Sequence, residues 1–280
     1  MGQAIRALLV GAICRDLERN EDGTEERPGG VVHHAGRALL GLGAQVRILT
    51  RLNSEDHGLL TPLRVEGASV HALESAQTTT YRNDYSGEVD LHELVAESDP
   101  IGPDDLPRDW DRPELTHLGP LHPNDLTPAV ADCADGLVGI DLQGLVRQIV
   151  DGETRLEPNA LLPAFLAGVH VVQVSESELA AVLDGETLDG FVKRYAVAEM
   201  IVTRGRRGAR IVEGGRHIEV PAHPTQGKHR AGTGDVFLTT YLFSRVRGFE
   251  PARAGALAAE ICAWRIEHGA VPVGRIGVPE

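Results

Sequence analysis

The chain has 280 residues, enough for one large α/β domain or two small ones with a sizeable core. Its 41 acidic residues outnumber the 27 Lys and Arg, giving a formal net charge of −14. That balance argues against nucleic acid as the main partner, because backbone binding needs clustered cations, but a local pocket can still be positive and take a nucleotide.

Residues 4–10 (AIRALLV) form an apolar run closed by Gly11 and read as a buried strand. Residues 17–28 are polar and acidic, a loop or an exposed hairpin. Residues 35–42 (AGRALLGL) have helical periodicity and end at Gly43, placed as a C′ glycine. Gln45–Leu52 (QVRILTRL) reads as the next strand. Strand, helix and strand in succession predict a mainly parallel sheet covered on both faces.

Further along, residues 78–85 (TTTYRNDY) are β-branched and aromatic, and Ser86-Gly87 is a turn signal, so a hairpin is expected. Residues 100–113 are rich in Pro and Asp and read as loop. Three more buried strands are expected at 137–142, 169–174 and 199–202, and a hairpin at 210–220 turning on Gly214-Gly215. Ser175 to Glu178 has capping-box character ahead of an apolar helix. Two long helical patterns, 236–247 and Pro251–His268, complete the order. No internal repeat, low-complexity segment or linker divides the chain, so one domain over residues 1–280 is expected. Three scattered cysteines, Cys14, Cys133 and Cys262, speak against a disulfide framework and suit a reducing cytosol. Neither a signal peptide nor a run of ~20 apolar residues is evident, so a cytoplasmic protein without a membrane partner is expected.

Gly232-Thr233-Gly234-Asp235 is the most informative segment. Glycines allow positive φ and close backbone approach, and a glycine turn opening a helix aims free N–H groups and the positive dipole end at one point. An aspartate there can take a proton from an attacking hydroxyl. The competing reading is a tight turn with a capping Asp. Other strand ends carry matching features: Gly11 with Asp16, Gly29-Gly30 before the first helix, Asp141-Leu142-Gln143-Gly144 with Arg147, and Thr203-Arg204-Gly205. Ligands bind at such ends in open parallel sheets.

Together these residues resemble the PfkB family of sugar and nucleoside kinases, the ribokinase-like group, in order and over nearly the whole chain. The resemblance implies a three-layer αβα sandwich with a mainly parallel central sheet. It also implies a small β lid, formed by segments near 17–30 and 78–95. It implies transfer of the γ-phosphoryl group of ATP to a hydroxyl of a sugar, cyclitol or nucleoside. Asp235 would be the base, and Ala231, Gly232, Thr233 and Gly234 the anion hole. Asp16, Gly29, Gly30, His34 and Gln143 would face the substrate, and Thr203 and Gly205 the nucleotide phosphates. Glu178 would act on Mg²⁺ through water, in a motif where Ser175 replaces Asn. Asp-x-Gln-Gly with Arg147, and the strand at Thr79 to Tyr85, resemble cyclitol kinases of the inositol kinase type.

The departures lie at His229-Arg230, where the family has Asp-Thr, which opens the question of a monovalent cation, and at His34, where it has Asn. A degenerate member that binds sugar or nucleotide as a regulator is the alternative those departures support. A dinucleotide fingerprint after the first strand is missing, and Gly227-Lys228-His229 fails as a P-loop. Family members pair through the lid, so the resemblance leaves a homodimer open.

Overall fold

Residues 4–20, 23–84, 91–107, 110–150, 153–227 and 229–271 are described by the computed structural model. Its strands in chain order are β1 (Arg6–Gly11), β2 (Cys14–Asn20), β3 (Gly23–Gly29), β4 (Gln45–Leu52), β5 (Ser69–Glu74), β6 (Thr80–Asp84), β7 (Leu91–Ala96) and β8 (Leu115–Gly119). They continue with β9 (Leu137–Asp141), β10 (Arg147–Val150), β11 (Glu153–Leu156), β12 (Val171–Ser175), β13 (Glu199–Thr203), β14 (Ala209–Glu213) and β15 (Arg216–Val220).

Nine strands form the central sheet in the order β15-β14-β13-β12-β9-β8-β1-β4-β5. The seven from β13 to β5 are parallel, and β14 and β15 add an antiparallel edge. Burial on both faces explains why these strands read as apolar runs rather than alternating ones. The two faces pack against different partners. Leu9, Val171 and Ile201 join the core under the helices Val31–Gly41, Thr233–Val246 and Pro251–His268. Leu8, Val10, Val172, Val174, Met200 and Val202 join a second core with short helices such as Leu162–Leu166 and Leu188–Arg194. The result is the expected three-layer αβα sandwich.

A separate four-stranded sheet, β3-β2-β6-β7, stands where the lid was expected. Residues 17–28 therefore contribute two paired strands, with Cys14 opposite Gly29 and Asn20 opposite Gly23. β6 pairs with β7 antiparallel, as a hairpin would, but its expected turn at Ser86-Gly87 lies outside the described residues. Only Ala12 and Ile13 separate β1 of the large sheet from β2 of the small one, and the Ile13 N–H donates to Thr50 Oγ1 at 2.8 Å.

Two strands of the large sheet escape sequence reading. β8 (LTHLG) is fully buried, but His117 interrupts its apolar run. β5 (SVHALE) is an edge strand with mixed polarity. β10 and β11 form a two-stranded hairpin immediately after the short helix Gln143–Val146.

The amino edge of the sheet is fixed by a buried network. Tyr241 donates to Glu199 Oε2 at 2.5 Å, and Arg245 donates to Glu199 Oε1 through both Nε (3.0 Å) and Nη2 (2.7 Å). Tyr241→Phe leaves a buried carboxylate oxygen short of a donor. It is expected to cost about 1–3 kcal/mol in urea unfolding. Tyr241 lies roughly 9 Å along the helix from Asp235, so turnover should be unchanged.

Candidate active site

Parallel strands deliver their carboxyl ends to one edge. Gly11, Gly119, Asp141, Ser175 and Thr203 are the last residues of β1, β8, β9, β12 and β13. The helix Thr233–Val246 starts at the same edge, tied to the sheet there by a buried side chain. Gln173 on β12 donates from Nε2 to Asp141 Oδ2 at 2.7 Å and to the Gly234 carbonyl at 2.9 Å. Gln173 has 1% exposure, and it is the lone amide among the valines of its strand. That isolated polar residue is the signal sequence reading passed over.

Asp235 stands in the first turn of this helix with 4% exposure. Its Oδ1 is buried and has no hydrogen-bond partner among the described residues. Burial, and then the nearby Asp141 carboxylate, hold its pKa well above the ordinary carboxylate range; Arg265 and Arg147 pull it back down. Asp141 itself is raised to about 6 by burial and by Glu178. One Asp141 oxygen accepts the Gln143 N–H at 2.9 Å, so the expected Gln143 position is fixed through its backbone.

The turn before Asp235 is shaped by Gly232, whose φ of 71° lies in the left-handed region. A Cβ there would also come within 2.1 Å of the His34 ring. Thr233 N–H and Oγ1 both donate to the Arg230 carbonyl, at 3.2 and 2.5 Å. Thr233 is thus occupied in closing the turn. The first-turn N–H groups of Gly234 and Asp235 have no intrahelical acceptor and point outward at the helix end. Ala231 lies within the same turn.

On the lid side, Asp16 of β2 is held by hydrogen bonds from the Cys14 thiol, 3.3 Å from Oδ1, and from the Asn83 side chain. Burial raises its pKa to about 6. Gly29 lies opposite: a Cβ there would sit 1.9 Å from Asp16 Oδ2. Gly30, at φ 85°, opens the Val31–Gly41 helix and approaches the Ala12 carbonyl too closely to carry a side chain. The Asp16 carboxylate adds a smaller upward push on the Asp235 pKa.

His34 and Glu178 both have partners within the protein. His34 packs its ring against Gly232 and accepts from Arg265 at Nδ1, 3.3 Å away, so it backs the glycine turn. Glu178 has both carboxylate oxygens engaged. Oε1 accepts from Arg147 Nε and Nη2 at 3.0 and 2.8 Å, and Oε2 accepts from Ser175 Oγ at 2.5 Å. Thr203 ends β13 and pairs with Ser175 in register, and Gly205, just beyond, has φ 55°. No cluster of three or more His, Cys, Asp or Glu among the described residues could hold a metal ion, and none of the described helices is long and apolar enough to cross a membrane.

This arrangement joins a buried carboxylate, an outward-facing helix N-terminus and a second carboxylate on a small sheet. Residues 152–271 match the model of the pfkB family carbohydrate kinases. The whole chain superimposes on a pyrophosphate-dependent kinase in the ribokinase family, complexed with a pyrophosphate analogue and myo-inositol. That match has TM-score 0.84 and 19% identity, and covers 95% of this chain and 97% of the other. A nucleoside kinase from Burkholderia thailandensis, in complex with inosine, matches with TM-score 0.76 and 20% identity over 95% and 92% of the two chains. A fructokinase from Vibrio cholerae, bound to fructose, ADP and calcium, matches with TM-score 0.73 and 16% identity over 95% and 94%. The C-terminal portion of the chain thus resembles the pfkB family carbohydrate kinases, and the chain as a whole has the fold of kinases of the ribokinase family.

Proposed function

We propose that this chain transfers the terminal phosphoryl group of a polyphosphate donor to a hydroxyl of a cyclitol or sugar, with Asp235 as the base. The observation that carries the reading is the unpartnered Oδ1 of Asp235 beside the outward N–H groups of a helix opened by Gly232. The acceptor oxygen attacks phosphorus, its proton passes to Asp235 Oδ1, and the bond to the donor breaks with its electron pair leaving on the donor oxygen. Charge that develops on the transferred group meets the N–H groups of Gly234 and Asp235, aided by the helix dipole. Little basicity is required of Asp235, because proton transfer comes late in a loose transition state.

Asp16 is the acceptor for substrate hydroxyl hydrogens, and Gly29 and Gly30 let the substrate approach the backbone. The myo-inositol named for the first neighbour, and the Asp141-Leu142-Gln143-Gly144 segment with Arg147, favour a cyclitol over a nucleoside. Arg147, fixed by Glu178, stands where its charge acts on Asp235 and can meet a phosphate. Magnesium suits this site only as a partner of the donor's oxygens, since Glu178 already spends its carboxylate on Arg147 and Ser175. When bound it would neutralise donor charge, with Glu178 reaching it through water.

ATP is the donor expected from the sequence. Pyrophosphate is a second reading, favoured by the donor named for the first neighbour. Arg230 adds local support, being exposed beside the turn with no ion pair among the described residues. A panel of cyclitols, sugars and nucleosides, each offered with Mg²⁺ and either ATP or pyrophosphate, decides both acceptor and donor. Turnover with neither donor on any acceptor, alongside measurable ligand binding, would favour the regulator reading instead.

Asp235→Asn should lower kcat by at least about 100-fold. The same change removes a buried ionisable carboxylate and should raise the thermal midpoint, so loss of activity through unfolding is readily told apart. Undiminished turnover in this variant would remove Asp235 as the base. For Asp16, whose pKa stands at about 6, protonation destroys its acceptor role. The KM for the polyol should therefore rise as pH falls through about 6, and Asp16→Asn should show a raised KM without that dependence.

A further inference from the structure

Arg265 belongs to the long C-terminal helix Pro251–His268, on the stripe formed by Ala254, Ala258, Ile261 and Cys262. A guanidinium on an apolar stripe is costly unless it is paired or hydrogen-bonded. Arg265 is 9% exposed, and no acidic side chain forms a salt bridge with it among the described residues. Its contacts all lead to the glycine turn. Nη1 donates to the His229 carbonyl at 2.6 Å, and Nη2 lies 3.3 Å from His34 Nδ1. Burial and neighbouring cations keep His34 uncharged, so its Nδ1 accepts from Arg265 while its ring supports Gly232. The same helix reaches the turn twice more: the His229 N–H donates to the Ile266 carbonyl at 3.3 Å, and the Cys262 thiol to the Thr233 carbonyl at 3.4 Å.

We propose that Arg265 is a positioning residue of the phosphoryl-transfer site. Its buried guanidinium ties the chain that enters the glycine turn to the helix behind it. The inference rests on the function proposed above. His229 occupies the place where an acidic residue was expected, and here it contributes its backbone carbonyl to a built-in positive charge. Other groups whose fields reach Asp235 are Asp141 from β9, Asp16 from β2 and Arg147 at the start of β10; the Cys14 and Cys262 thiols face it uncharged. Glu178 acts on Asp141, and His33, His34 and Arg37 lie on the helix against Arg265. Arg265 heads the cationic influences that hold the Asp235 pKa down.

The sign follows directly. Asp235 must be ionised to accept a proton, so activity falls as pH drops through its pKa. Removing Arg265 raises that pKa and carries the acid limb of kcat/KM to higher pH. Arg265→Ala should move the limb up by about one pH unit or more and lower kcat/KM at neutral pH by about 10- to 100-fold. Added guanidinium ion should restore part of the loss. Arg265→Lys keeps the charge but not the two-point contact, so its limb should stay near that of the wild-type protein while kcat falls.

Amide exchange of residues 229–233 supplies a readout independent of turnover, and Arg265→Ala should accelerate it. A folded Arg265→Ala protein whose acid limb and exchange both match wild type overturns the inference and leaves the kinase reading intact. If Arg265→Ala does not fold, a Lys variant whose limb shifts as far as a neutral substitution would demand overturns it. If the wild-type protein turns over no acceptor, the kinase reading fails, and unchanged exchange at 229–233 then sinks the bracing role as well.

Discussion

Both hydrogens on one amide nitrogen hold this site together. Gln173 Nε2 reaches the Asp141 carboxylate with one and the Gly234 carbonyl with the other, joining two strand ends to the first turn of a helix. The constraint is strict because all of it is buried: an amide that lost either acceptor would strand a polar group in a dry interior. Gly234 cannot drift without breaking that bond, and Asp235 follows it in the chain. The position of the proposed base is thus inherited from the register of β9 and β12 rather than from a loop.

Electrostatics at this edge are unusual for a protein so acidic overall. Asp16, Asp141 and Asp235 are all raised by burial, and Asp235 is raised further by the other two. Arg147 offsets the rise at Asp141 and Asp235, and Arg265 offsets it at Asp235. Arg147 is itself secured by Glu178, whose charge it nearly cancels. The site is therefore a cluster of paired opposites, poised to gain when a polyanion brings its charge to the two arginines and the helix end.

The sheet was legible because parallel strands buried on both faces leave continuous apolar runs, and β4 is bounded in sequence as in structure. β8 was not legible, since His117 breaks its run and nothing local reveals that both faces are covered. The glycine turn with Asp235, and the Gly29-Gly30 pair, announce themselves because side chains are excluded there by contacts that only glycine tolerates. Gln173 and Arg265 did not announce themselves, although each is a lone polar residue on an apolar strand or stripe. Their partners are 61 and 36 residues away in the chain, and pairings at that distance leave no local trace. The His34 ring occupies the space that a side chain at Gly232 would need, a contact between residues far apart in the chain.

The two-residue joint between β1 and β2 has one last consequence. Asp16 rides on the small sheet, whereas Asp235 is fixed to the large one through Gln173. The two carboxylates that would meet one acceptor thus belong to different sheets joined through the buried residues Ala12-Ile13. Any tilting of the small sheet changes the span between proton acceptor and hydroxyl anchor at once. In the proposed reaction the span between hydroxyl anchor and proton acceptor is therefore set by how the two sheets are joined, not by either sheet alone.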